Sequence, residues 1–540
     1  MTTVATATIT AERLHELITA GGEYALVDVR EAGVTAAQGS ILLAVSIPLS
    51  VLELRVSTRI PRLSTPVVVY DGGDGRLTER AAARLVALGY TDVRVLDGGL
   101  RAWADAGYKV QSGGDHVIGQ AFGEWIEEVY QTPHITVGEF RDRVAAGEDI
   151  VLLDSRPIGE FENHSLPGGT SIPGAELVYR AAEAVKSPDS LVVVNCAGRT
   201  RSILGAQVLI NAGLPNRVVS LEGGTQSWVL EGHDLDHGKA VAVPLPTGDA
   251  LASAKASAAR FADRFAIVHI DKATLQRFRD ETDSRSLYVL DVRTPQEYET
   301  GHLAGSRSAP SWDVAPWTFR HVGTHNARIV LVDNDTVRAT VAASWIAQIG
   351  WGEVFVLDDA FDGEDLETGS SPESFDVPFD GYRVIGADDL NAATDDVVVL
   401  DLAPSPAYRA GHIPGAQFAI RSRLAAKDIP GTGPIVLTSE DSVLARFAAA
   451  DLAAATDRPV QVLDGGTKSW TDSGYTLVSG AERWLHAPDD VVPSGWRETD
   501  PERRKAGFRR YLAWELGLVD ELEQDDTVPF KKYDWDRCSA

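Results

Sequence analysis

Cys196 is one of only two cysteines in a chain of 540 residues, and its neighbours have types and spacing that could do chemistry. It follows the run Leu191, Val192, Val193, Val194, Asn195. After it come Ala197, Gly198, Arg199, Thr200, Arg201 and Ser202, then the amphipathic start Ile203-Leu204-Gly205-Ala206. The apolar run reads as a buried parallel strand and the segment after the loop as a helix. Such a loop turns backbone N–H groups, the positive end of the helix dipole and two guanidinium groups toward one sulfur. That environment lowers a thiol pKa and holds an anion. The expected chemistry is that of a thiolate working on an anionic substrate.

The elements that must position this loop belong to a large chain. Its length predicts about three to five domains, and 44% apolar residues are enough for full-sized cores. A net charge of −28 speaks against nucleic acid or an anionic membrane as partner, because no basic field exists to attract phosphates. Two cysteines and one methionine exclude a disulfide framework and a Cys-rich metal site, and no His/Cys/carboxylate cluster has ligand spacing. No metal and no cofactor are expected. The opening Met1-Thr2-Thr3-Val4 lacks a charged region before an apolar core, and no apolar stretch approaches a membrane span. A cytoplasmic protein is the expectation.

One unit recurs four times. Each copy opens with an apolar strand ending in Asp28, Asp154, Asp291 or Asp401, followed two residues on by Arg30, Arg156 and Arg293 in the first three. Each closes with a second strand and turn, ending Gly98-Gly99, Gly223-Gly224, Asp358-Asp359 and Gly465-Gly466. Trp103, Trp228 and Trp470 follow the glycines and read as core anchors. Strands alternating with helical patterns predict an α/β fold, each copy a parallel sheet with helices on both faces. Shifts in composition place the copies at 1–115, 125–240, 255–370 and 380–480, with a tail over 481–540. Within the tail, Pro501 to Leu518 reads as a helix with Pro near its start. It is expected to dock on a domain of the same chain, the alternative being a second copy in a homodimer.

The chain resembles four tandem rhodanese-type domains. The likeness rests on the Asp-x-Arg strand ends, the turns Gly301-His302-Leu303-Ala304-Gly305 and Gly411-His412-Ile413-Pro414-Gly415-Ala416, the strand-Cys196-loop-helix and the closing Gly-Gly turns. His164 to Gly168 stands at the turn position of the second copy, and the recurrent His302 and His412 read as turn-stabilising. At the cysteine position the other copies carry Asp71, Asp333 and Ser439, so only the second is expected to be catalytic. The resemblance implies sulfur transfer from thiosulfate to cyanide or a thiol through a Cys196 persulfide, a covalent route in two half-reactions.

In that reading, Ala197, Gly198, Arg199, Thr200 and Arg201 bind the anionic donor. Gly198 supplies tight curvature, and guanidinium groups suit an oxyanion. Family position puts Asp154 and Arg156 beside the loop. Asp154 is expected to orient a loop arginine, and Arg156 either faces the substrate or pairs with an acid. Cys196 to Arg201 is one residue shorter than the loop of related phosphatases, which suits one sulfur atom rather than a phosphoryl group. Some relatives carry a substrate-contacting arginine where this chain has Glu160. Mercaptopyruvate and glutathione persulfide stay open as donors, as does a persulfide carrier or sensor serving a protein partner. Cys538 is expected to be an idle thiol.

Overall fold

The computed structural model describes residues 7–114, 116–370, 375, 377, 379, 381–393 and 396–534. Cys538 and the linker residues Asp115, Ser371 and Pro372 fall outside them. Four five-stranded sheets follow one another, all with the same strand order. In the second domain the strands are β1 (His134–Ile135), β2 (Ile150–Asp154), β3 (Thr170–Ser171), β4 (Leu191–Asn195) and β5 (Val218–Leu221), arranged β1-β5-β4-β2-β3. Every pairing is parallel.

Alternation along β4 shows why the sheet is covered on both sides. Val192 and Val194 join one apolar cluster, while Leu191 and Val193 join another with Ile135, Phe140 and Trp228. All four are buried, and each stabilises the fold by about 1.5–3 kcal/mol. The pattern of Tyr288 and Leu290 against Val289 repeats this in the third domain. Trp103, Trp228 and Trp470 are buried anchors whose indole N–H groups donate to Lys109 O, Asp234 O and Thr476 O. His302 and His412 stack on Tyr298 and Tyr408 and bond their carbonyls, holding the turns.

Two features go beyond four independent copies. One continuous core runs through the first three domains, whereas the fourth has clusters of its own. Buried and half-buried ion pairs tie the domains together: Arg338 holds Glu176 and Glu297, Glu23 holds Arg285, and Arg421 holds Glu53. Helix α1 (Val117–Tyr130) straddles the start expected at 125, and the helix Gly248–Phe265 that expected at 255. Both are amphipathic helices inserted between the expected linkers at 111–115 and 243–248 and the repeat that follows.

Ahead of α2 (Thr200–Asn211), β4 delivers Cys196; far downstream, α3 (Pro501–Leu516) starts with Asp500 capping the Arg503 N–H at 2.8 Å. Its partners are α1 and the helix Gly224–Leu230, so it docks within its own chain. The segment Ala487–Val491 reaches the first domain at Gly33, and Lys531 N bonds Gln348 O in the third.

Candidate active site

Cys196 lies at the end of β4, 2% exposed, with its thiol pointing to Ser202 Oγ at 3.6 Å. Its carbonyl accepts from Thr225 N at 2.9 Å and that of Ala197 from Gln226 N at 3.1 Å. A Cβ on Gly224 would stand 2.2 Å from Cys196 O, and its φ is +52°. This close approach explains the second glycine of the closing turn, which recurs where Gly99 meets Asp71 O and Gly466 meets Ser439 O.

The loop arginines do not do what their spacing suggests. Arg199 is turned away from the thiol into carboxylates of α1: its Nε lies 2.9 and 3.0 Å from the Glu124 oxygens, its Nη2 bonds Glu127, and Glu222 stands 3.7 Å off. Its expected side-chain contact with a donor is thus corrected. Arg201 makes a two-pronged pair with Glu160 at 2.8 and 2.9 Å and lies 5.4 Å over the ring of Trp317 from the third domain. It remains near enough to draw the Cys196 pKa down.

Of its two expected roles, Arg156 takes the pairing with an acid and not the contact with substrate. It is wholly buried, bound to Asp154 at 2.9 and 2.7 Å and to the ring and carbonyl of His164 at 3.0 and 2.8 Å. Asp154 therefore orients Arg156 rather than a loop arginine, and it accepts from Asn195 Nδ2 at 2.9 Å. Register explains the contact, since β2 and β4 pair Asp154 with Asn195. The same strand-end pair is made by Asp28 with Arg30 and by Asp291 with Arg293.

Sequence reasoning missed the residues that close the site. Thr200 Oγ1 donates to Glu515 Oε1 at 3.1 Å, and Tyr511 Oη donates to the same oxygen at 3.0 Å. A Cβ on Gly198 would lie 3.0 Å from Glu515 Oε2 and 3.1 Å from Tyr511 Cε1. Any side chain at Gly198 would thus crowd α3, and the φ of Gly198 is not in the left-handed region, contrary to the expected role in curvature. Nothing in the repeat pattern pointed to these partners, because α3 belongs to no repeat.

Enclosure changes the electrostatics. Burial pushes the Cys196 thiol up, against the pull of Arg201 and of the Ser202 hydroxyl, and the Glu515 charge adds to the rise. The expected lowering of this thiol is thus reversed in the closed pocket. A narrow crevice lined by Ser155, Gly174, Arg201, Leu204, Trp312 and Trp345 reaches Arg201 between the second and third domains. A cleft of about 800 Å³ between the first and third domains is lined by none of the expected site residues. Among the described residues no group of three or more His, Cys, Asp or Glu could hold a metal. No described helix is long and apolar enough to cross a membrane.

Residues 10–106, 136–231, 271–363 and 387–473 each match the Rhodanese-like domain. The chain belongs to the rhodanese-like family. A solved thiosulfate sulfurtransferase from Pseudomonas aeruginosa is 40% identical, with a TM-score of 0.92 over 98% of this chain and 100% of its own. A putative sulfur carrier protein of Bacillus subtilis (strain 168) is 29% identical over 102 residues, 19% of this chain and 54% of the relative. A putative thiosulfate sulfurtransferase of Mycobacterium tuberculosis is 30% identical over 129 residues, 22% of this chain and 43% of the relative. The chain thus spans about half the length of these curated relatives.

Set side by side, the loops of the four rhodanese-like domains share one contact made to different side chains. Asp71 accepts from the N–H groups of Gly73 (2.8 Å), Gly75 (3.4 Å) and Leu77 (3.2 Å). Asp333 accepts from Asp335 (3.2 Å), Thr336 (2.5 Å), Arg338 (2.7 Å) and Ala339 (3.1 Å). Ser439 Oγ accepts from Ala445 N at 3.3 Å. The amide six residues on reaches the side chain in each, and for Cys196 that amide is Ser202, which helps draw the thiol pKa down.

Proposed function

We propose that this chain is a sulfurtransferase that moves the outer sulfur of thiosulfate to a thiophilic acceptor, cyanide or a thiol, through a persulfide on Cys196. The observation that carries the reading is the loop itself: its amides hold a carboxylate in the first and third domains, and in the second a thiol stands in that place. The full-length likeness to a thiosulfate sulfurtransferase supports it. The Cys196 thiolate attacks the outer sulfur, forming a Sγ–S bond as the bond to the sulfonate sulfur breaks and sulfite leaves with the electron pair. Cyanide then takes the outer sulfur as thiocyanate and returns the thiolate. Backbone N–H groups of the 197–201 loop stabilise the persulfide charge, and Arg201 is the cation nearest to a donor entering along the crevice. Its need for a reduced thiol suits a cytoplasmic setting.

Intact-protein mass spectrometry after thiosulfate treatment tests this. One added sulfur on Cys196, removed by cyanide with repeated thiocyanate release, is the expected result. Cys196→Ser should abolish loading while Cys538→Ser leaves it intact, and loading that survives Cys196→Ser would sink the reading. The enclosure of Cys196 favours a second reading, a carrier loaded and discharged by a protein partner. Stoichiometric loading with slow discharge to small acceptors distinguishes it, and mercaptopyruvate and glutathione persulfide are the other donors to try.

A further inference from the structure

With Arg199 held by Glu124 and Glu127 and Arg201 by Glu160, the cations of the loop are neutralised by their own neighbours. The group that α3 then adds to the loop is another carboxyl, Glu515, fully enclosed in the protein. Its Oε1 accepts from Thr200 and Tyr511, whereas its buried Oε2 has no hydrogen-bond partner among the described residues and faces Gly198. The charged and titratable groups around it are Glu124 of α1, Cys196 and Arg199 of the loop, and Tyr511 of its own helix. Tyr511 in turn accepts from Gln120 Nε2 at 3.3 Å.

An ionised Glu515 would leave Oε2 as an unpaired buried charge and would repel any anion brought to Cys196. A carboxylic acid offers the opposite: an O–H donor on the one oxygen that has no partner. Burial and the Glu124 charge push this acid up to about 8, so the protonated form prevails at neutral pH.

We propose that Glu515 is a specificity-determining residue of the Cys196 site, whose neutral carboxyl donates a hydrogen bond from Oε2 to the anionic sulfur donor. Here it takes over the anion-binding part left by the diverted arginines. The identity of the donor rests on the sulfurtransferase reading; the preference for anions set by Glu515 does not. Above its titration the carboxylate excludes anions and leaves neutral reagents unaffected.

The test is alkylation of Cys196 in the full-length protein by iodoacetate, an anion, against iodoacetamide, its neutral counterpart, read by peptide mass spectrometry. The ratio of the two rates cancels the ionisation of the thiol itself. It should fall about tenfold between about pH 7 and pH 9 in the wild type and stay flat in Glu515→Gln. Tyr511→Phe removes a hydrogen bond that favours the carboxylate, so the midpoint should move to higher pH. A flat ratio in the wild type, or an equal fall in Glu515→Gln, overturns the proposal. No reaction with either reagent overturns it too, because α3 would then be a seal. Alkylation needs no sulfur transfer, so a protein that alkylates as expected yet never loads sulfur refutes the proposed function and leaves the role of Glu515 standing.

Discussion

The loops of the second and third domains differ most usefully in what occupies the place at the end of the fourth strand. In the third, the Asp333 carboxylate gathers four backbone N–H groups and faces Arg338, which also holds Glu176 and Glu297. Tyr179 of the second domain closes over this loop, donating to Asp335 at 2.6 Å. In the second, a thiol stands in that place, beside the Ser202 hydroxyl at 3.6 Å. The third domain has therefore kept the cradle and built the anion into the chain. The loop forms without a cysteine, because a carboxylate satisfies backbone donors permanently.

The most severe way to break the comparison is to make the second loop resemble the third. Cys196→Asp should eliminate sulfur loading while the protein still folds, with an unfolding temperature within a few degrees of the wild type. A large drop in that temperature would mean the two cradles are not equivalent. Next comes Asp333→Ala, which strips a buried charge from four amides and from Arg338 and should destabilise by about 3–5 kcal/mol in denaturant unfolding. Burial already pushes the Asp333 carboxyl up, against the pull of Arg338 and the amides of Ala339, Thr336 and Arg338. A loss below about 1 kcal/mol would show that the amides do not depend on the carboxylate.

The smallest effect sits in the fourth domain, where Ala403 replaces the arginine that pairs with the strand-end Asp elsewhere. Asp401 is buried with its Oδ2 unpaired, and burial pushes its pKa up to about 6. A carboxyl raised on folding is stabilising only while protonated. Its contribution is full below the unfolded value near 3.8 and lost as pH rises through about 6. Stability should fall by roughly 2–3 kcal/mol across that window. Asp401→Asn should flatten this part of the pH–stability profile, and an unchanged slope would mean water or a neighbour already relieves the charge.

What the chain revealed before folding was uneven for physical reasons. The repeats were legible because strand alternation, Asp-x-Arg ends and Gly-Gly turns are local patterns, and Cys196 stood out for the same reason. The fate of the arginines was not, since spacing tells which groups can approach a sulfur and not which competitors arrive first. Arg199 is 75 residues from Glu124, and Arg201 is 41 from Glu160. Thr200 and Glu515 are separated by 315. No pattern in the 191–206 segment encodes partners at such distances, and the strand-end pair Asp154–Arg156 was visible only as a choice between two roles.

The distance along the chain between the cysteine loop and α3, 315 residues from Thr200 to Glu515, carries a consequence for how the protein is made. Ribosomes deliver the amino end first, so the second domain can fold while its lid is still unsynthesised. Until α3 emerges, Cys196 belongs to a nascent chain whose reactive sulfur is open to oxidants and stray electrophiles. Translation through α3 thus works as a maturation step: only a chain read past residue 516 carries Glu515 and Tyr511 over the loop. Messages cut short before α3 would yield proteins with the cysteine loop and without Glu515 and Tyr511 against it.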